Sequence, residues 1–264
     1  MESIKTFSMH HHLCKNCEHT FEGNFCSNCG QKTNTVRLNW HFVKDELQYT
    51  FLHINKGFLF SVKELLTRPG DTVREFLEGK RVKHYKPILL VFVLAGLNGL
   101  LSQNIDYKGF MPKNDSKNIV ANEMPKMMNW IFSHYAIIEL TLLPLFSLCS
   151  WLAFKKYGYN YIENIIINCF ASAQRLTFGL ITIPLMYLID TKYLLSFSSL
   201  ISIPVYGVTI WLYLQLYKKH ELGNVILRLL LFGFLATLVF FAAILIACII
   251  FIYYLVKSGQ LEIN

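Results

Sequence analysis

Four cysteines near the start of the chain, Cys14, Cys17, Cys26 and Cys29, are the residues whose type and spacing point most directly to chemistry. They read C-x2-C-x8-C-x2-C, and each C-x-x-C is a tight turn that presents two sulfurs to one ion. Two such turns complete a tetrahedron. Gly30 follows the second pair, where a positive φ costs little. Glu22-Gly23-Asn24 turns the chain between Phe21 and Phe25, which predicts a miniature hairpin joining the knuckles with aromatic cover. The donor set favours zinc, with a single iron as the alternative. Four protein ligands leave no open position for water, so the expected cofactor is structural Zn2+ rather than a catalytic metal. A thioredoxin-type redox pair needs one C-x-x-C beside a βαβ pattern, and neither condition holds. His10, His11 and His12 precede the first cysteine, but the ligand set is complete without them and they read as a solvated tract.

A second group of polar residues lies in apolar sequence far downstream: Glu139, Asn168, Gln174 and Arg175. A charge in the middle of a bilayer costs at least about 2.5–3.5 kcal/mol on insertion scales, so Glu139 and Arg175 are expected to pair or to face a polar cavity. Counted from the ends of their segments they differ in depth by about 7–8 Å at 1.5 Å per residue, within reach of an arginine. Two readings stand side by side: a structural ion pair with interhelical hydrogen bonds, or a polar pocket for a bound or translocated solute. The chain has no H-E-x-x-H, G-x-S-x-G, G-x-x-x-x-G-K-[ST] or G-x-G-x-x-G, so an enzyme is not the expected reading.

The elements that must position these residues follow from composition. Of 264 residues, 53% are hydrophobic and only 16% charged, against roughly 25% charged in soluble proteins. Residues 1–86 hold 13 of the 25 Lys/Arg and 9 of the 17 acids, and the polarity breaks at Pro87. A membrane span needs about 20 mostly apolar residues, and five segments qualify, near 87–103, 130–154, 162–189, 194–217 and 225–256. The first is at the lower limit. The last would be about 48 Å long as one helix, so it should tilt or project. The expected fold is an all-α polytopic membrane protein of about five transmembrane helices with a small N-terminal zinc ribbon. Its parts are the ribbon (1–35), an amphipathic linker (36–86) and the bundle (87–264).

In the linker, Trp40, Val43, Leu47, Phe51 and Ile54 share one helical face, and Phe58, Val62, Leu65 and Leu66 another. Arg68-Pro69-Gly70-Asp71 then breaks the chain, with Asp71 expected as N-cap of a short helix over Thr72–Leu77 that Gly79 stops. None of these helices can span. They are expected to lie in the interface or to pack on the ends of the spans.

The net charge of +8 could point to nucleic acid, but its distribution argues for a membrane. Lys155/Lys156 and Lys218/Lys219 sit in short loops between apolar runs, as topology determinants do. They place the ribbon in the cytoplasm and the C-terminus outside, although Lys108, Lys113, Lys117 and Lys126 of the 104–129 loop run against that assignment. A cleavable signal peptide is not expected, because residues 1–34 are polar with no apolar core of suitable length, so the thiols are expected to stay reduced and free for metal. Arg68, Arg74, Lys80 and Arg81 are expected near head-group level, as a candidate anionic-lipid or phosphate site. The alternative is simple positive-inside anchoring; attraction to anionic head groups would be worth about 1 kcal/mol per basic residue near the surface.

The stretch Cys14-x2-Cys17 with Gly23-Asn24-Phe25-Cys26-Ser27-Asn28-Cys29-Gly30-Gln31 resembles the ribbon of an uncharacterised bacterial membrane-protein family. So do Lys56-Gly57-Phe58, Leu65-Leu66-Thr67-Arg68-Pro69-Gly70, Phe76-Leu77-Glu78-Gly79-Lys80-Arg81 and Tyr85-Lys86-Pro87. The family is a domain of unknown function with an N-terminal zinc ribbon and several spans, and the resemblance covers about residues 14–95. It implies the bacterial inner membrane and brings no activity and no catalytic residue. The expected function is a non-enzymatic adaptor or regulator that binds a cytoplasmic protein through its ribbon. The alternative is a transporter, or a transport accessory, that uses the Glu139/Arg175 region.

Overall fold

The computed structural model describes residues 11–33, 35, 37–40, 42, 56–103, 105, 127–190 and 193–257. His10, the face expected at Val43, Leu47, Phe51 and Ile54, and the lysines expected to oppose the topology (Lys108, Lys113, Lys117 and Lys126) lie outside these residues.

The ribbon is built from two short strands. β1 (His12–Leu13) pairs antiparallel with β2 (Thr20–Phe21), His12 facing Phe21 and Leu13 facing Thr20, and Phe25 bridges to Lys32. Its two knuckles repeat one turn. The Glu18 N–H donates to the Cys14 carbonyl and the Gly30 N–H to the Cys26 carbonyl, both at 2.8 Å. The residue four places beyond the first cysteine of each pair takes positive φ, Glu18 at 59° and Gly30 at 73°.

Two short helices follow. α1 (Lys56–Thr67) and α2 (Pro69–Glu78) bury Leu65, Val73 and Phe76 against the apolar helices. The expected N-cap of α2 is corrected: Arg68 holds that position and Pro69 is the first helical residue, which places Asp71 third in the first turn. Proline's fixed φ suits the start of a helix, where its missing N–H costs nothing. Gly79 ends α2 at φ 112°.

Five apolar helices form the body: α3 (Pro87–Ser102), α4 (Tyr135–Phe154), α5 (Tyr161–Met186), α6 (Leu194–Leu216) and α7 (Leu222–Lys257). Four of them, α4 to α7, are long and apolar enough to cross a membrane, as a multi-pass membrane protein requires. The fifth expected span falls on α3, an apolar helix whose 16 residues rise about 24 Å, short of a hydrocarbon core of about 30 Å. α7 is one unbroken helix of 36 residues.

α5 is the centre of the packing. Ile166, Ile167, Cys169, Phe170, Ala171, Ala173 and Leu176 are all buried, and α1, α2, α3, α4 and α6 lie against it. Its start is fixed by a capping box. The Asn160 side chain accepts from the Glu163 N–H at 2.8 Å, and the Glu163 carboxylate accepts from the Asn160 N–H at 2.7 Å. The ribbon, the α1–α2 pair and the loops holding Lys155/Lys156 and Lys218/Lys219 share one end of the bundle. Arg37 reaches Gly158 there, and Lys218 reaches Asp71.

Candidate functional site

Each knuckle delivers two thiols to a common point. The ligand sulfurs of Cys14, Cys17, Cys26 and Cys29 all lie within 4.8 Å of one another. Cys14 Sγ and Cys29 Sγ are 3.5 Å apart, and Cys17 Sγ and Cys26 Sγ 3.6 Å. These separations are far above a disulfide's length, and they approach the roughly 3.8 Å edge of a tetrahedron with 2.3 Å metal–sulfur bonds. The four cysteines therefore fit one tetrahedral metal ion, and the donor set suits zinc or iron. The backbone hydrogen bond at His19 holds the Cys17 thiol down to about 6, and burial pushes Cys29 up to about 11. Phe21 is buried against the cluster, whereas Phe25 is exposed, so only one of the two expected aromatics covers the site.

The ribbon is docked on the bundle. Gln31, whose backbone carbonyl is tied to the Cys26 N–H at 2.8 Å, donates from Nε2 to the Gly79 carbonyl at 2.7 Å. Arg37 forms a fork on Glu163, with Nε and Nη2 each 2.7 Å from a carboxylate oxygen, and Nη2 also reaches the Gly158 carbonyl at 2.6 Å. The hydrogen bonds it donates to the Glu163 carboxylate raise the Arg37 pKa. Asn160 Nδ2 donates to the Leu38 carbonyl at 3.3 Å. A carboxylate that caps α5 thus also holds the segment leading out of the ribbon.

Three of the four basic candidates are committed to protein partners. Arg68 lies between Glu64 and Glu75; burial opposes its charge, but the hydrogen bonds to Glu75 and Glu64 outweigh that and raise its pKa. Arg74 pairs with Asp71 and donates to the Gln215 and Leu216 carbonyls, the open C-terminal acceptors of α6. Arg81 lies over the rings of Phe42 and Phe76, 5.3 and 5.5 Å from their centroids, and donates to the Phe76 carbonyl at 3.1 Å. Lys80 stands beside Gly79 at the end of α2, half-buried.

The Pro69-Gly70-Asp71 turn seats α2 on α6. The Gly70 N–H donates to Gln215 Oε1 at 2.8 Å. A Cβ on Gly70 would lie 2.7 Å from the Gln215 backbone carbon, a separation real Cβ atoms do not show. Asp71 accepts from Lys218 at 2.7 Å and Gln215 Nε2 at 3.0 Å; burial works against its charge, but Lys218 and then Arg74 hold its pKa below 3.8.

The intramembrane candidates fall into two places. Asn168 joins a polar ladder in the ribbon-side half, donating to Ser150 Oγ at 2.7 Å and accepting from Tyr213 OH at 3.3 Å, while Ser150 reaches Asn164 at 3.2 Å. Gln174 donates to the Leu65 carbonyl at 3.0 Å, tying α5 to the end of α1. Glu139 and Arg175 meet in the other half, with Arg175 Nη2 3.2 Å from Glu139 Oε1. They line a cleft of about 230 Å³ together with Asn98, Tyr135, Val205 and Tyr206.

Sequence reasoning missed Gln31, Arg37, Asp71 and Gln215 as docking residues. Only the Asn160-x-x-Glu163 capping box carried a local signal of this contact, as the pattern that precedes an apolar run.

A family model described as a protein of unknown function (DUF3667) matches residues 55–98. The matched segment is α1, α2 and most of α3; it includes Gly79, one of the ribbon's two seats, and it packs on α5 and α6. The four cysteines lie outside it. No curated protein matches the chain, and no solved structure does.

Proposed function

We propose that this is a five-span protein of the bacterial inner membrane that works without covalent chemistry, as an adaptor or regulator built on a structural zinc ribbon. The observation that carries this reading is the docking of the four-cysteine module onto the bundle, through Gln31 on Gly79 and Arg37 on Glu163. A metal that folds the ribbon also positions Gln31, two residues beyond Cys29. The ribbon then displays Leu13 and Phe25, both well exposed, to a cytoplasmic protein partner. A closed set of four thiolates suits this role, because it offers substrate no open coordination position.

α3 serves as the fifth span. At its far end Tyr187 OH donates to the Leu101 carbonyl, and Gln103 reaches Ser133 at 3.4 Å. It therefore ends level with α4 and α5 on that side. The ribbon end is cytoplasmic on the strength of the basic residues gathered there, and α7, starting at that end, carries the C-terminus outside. Lys80 and the exposed basic loops meet anionic head groups at this end.

The test is affinity capture from native membranes with the full chain and Cys14→Ser. The reading expects a partner that is lost with Cys14→Ser while membrane insertion is retained. Capture that does not depend on the cysteines would overturn it. A second reading, transport or transport assistance, is favoured by the Glu139–Arg175 cleft. Glu139→Gln should then change solute flux in proteoliposomes, and unchanged flux removes it.

A further inference from the structure

The Glu139–Arg175 pair is half-satisfied, and its unsatisfied half faces an opening. Arg175 spends only Nη2 on protein, on Glu139 Oε1 at 3.2 Å and Ser172 Oγ at 2.8 Å. Nε and Nη1 of Arg175, and Oε2 of Glu139, have no protein partner among the described residues. The side chains retain 30% and 18% exposure. In an apolar medium such groups are costly, and pairs buried for structure alone gain by using their remaining donors and acceptors. The ladder of Ser150, Asn164, Asn168 and Tyr213 in the same bundle does this; the Glu139–Arg175 pair does not.

The surroundings say what would fit. In the ribbon-side half α4 and α6 close over α5, with Phe154 stacked on Tyr213 and Tyr217. Toward the other end the walls of the cleft come from α3, α4, α5 and α6, and the α6 wall includes Tyr206, 66% exposed on the bundle's lipid-facing surface. The cleft, at about 230 Å³, is below the roughly 300–1,000 Å³ usual for ligand pockets. That volume has room for no more than a small polar head, with any chain attached to that head lying outside along α6. A lone anion on Arg175 would leave net negative charge beside Glu139, and a lone cation the reverse. Each adds an uncompensated charge in a low-dielectric setting. A head carrying one cationic nitrogen and one anionic oxygen group satisfies both free ends with no net charge.

We propose that this cleft binds a small zwitterionic head, its anionic oxygens on Arg175 and its ammonium on Glu139. Such a head occurs on an amino-phospholipid or on a free zwitterionic solute. The inference is independent of the ribbon's role.

The full chain is reconstituted in nanodiscs of phosphatidylcholine with equal minor fractions of phosphatidylethanolamine and phosphatidylglycerol, and retained lipid is read by native mass spectrometry. The protein should retain phosphatidylethanolamine over phosphatidylglycerol by at least about tenfold, because phosphatidylglycerol would bring an uncompensated charge into the cleft. Glu139→Gln leaves Arg175 alone and should invert the preference. Val205→Trp fills the cleft from α6 with the pair untouched and should abolish retention, which keeps the proposal exposed even where Glu139→Gln does not fold. Displacement by added glycerophosphoethanolamine assigns a soluble ligand, and resistance to it assigns the lipid head. Retention no higher than bulk composition, or retention indifferent to both substitutions, overturns the proposal and leaves a structural ion pair.

Discussion

The two ends of one bundle treat polar groups in opposite ways. At the ribbon end charges and helix termini answer each other: Arg74 caps α6, Gln174 reaches the end of α1, Glu163 caps α5 and holds Arg37, and Arg68 sits between two glutamates. Toward the far end a single 3.2 Å contact joins Glu139 to Arg175 beside an open cleft. The same helix, α5, runs through both. The difference separates a scaffold, whose charges are mostly spent in holding it although Gln174 Oε1, Tyr157 OH and Tyr217 OH stay unpartnered there among the described residues, from a region where an ion pair keeps donors and an acceptor free beside an opening. It also makes the segment matched by the family model part of the scaffold, since α1 and α2 lock the ribbon to α5 and α6.

The contrast can be broken hardest at Gly70. Gly70→Ala drives a Cβ into the α6 backbone, which cannot yield as a side chain would. It should cost about 3 kcal/mol or abolish folding, read from thermal unfolding in detergent micelles. Near wild-type stability would mean that α2 is not seated on α6 as described.

How far this could be read from the sequence depends on whether the information was local. The four cysteines, the five apolar segments and the Glu139–Arg175 depth match were all legible, because C-x-x-C spacing, apolar run length and rise per residue are local quantities. The use of the basic residues was not. Arg68, Arg74 and Arg81 read as a head-group site or as plain positive-inside anchors, because basic residues beside an apolar run usually are one or the other, and nothing nearby in sequence shows that the α6 carbonyls of Gln215 and Leu216 lie beside Arg74. The start of α2 was misplaced because Asp71 is a common N-cap type, yet Pro69 already supplies the preorganised first residue. The ribbon's seat on Gly79 spans 48 positions from Gln31, a contact that tertiary packing alone creates.

A smaller break is Arg37→Ala. It leaves the Glu163 carboxylate, 6% exposed, without its charged partner. It should cost about 2 kcal/mol and loosen the ribbon more than the bundle, which limited proteolysis of the ribbon would register. Glu139→Gln, by contrast, leaves the Arg175 charge without its partner in the other half of the bundle, so any stability it costs should appear without loosening the ribbon. Proteolysis of the ribbon as fast as in Arg37→Ala would erase the distinction between the two halves.

Acid should act on the ribbon end gradually. Burial among aromatic rings depresses the His84 pKa below 6.5, so the folded protein binds fewer protons there than the unfolded chain. The stability from neutral His84 is full above pH 6.5 and is lost as pH falls below it, by at most about 1.4 kcal/mol per pH unit. Asp71, held below its usual 3.8 by Lys218 and Arg74, gives a second loss below that value. A stability profile against pH should show both steps, and His84→Phe should remove the first alone.

The central claim is that a metal-folded ribbon and the bundle form one unit. Hydrogen exchange on the full chain in nanodiscs, before and after chelation of metal, tests it most directly. The account predicts that chelation raises exchange in the ribbon and together with it at Gly79–Lys80 and at Gly158–Glu163, the two seats of Gln31 and Arg37. Faster exchange confined to residues 11–33, with both seats unchanged, would contradict it.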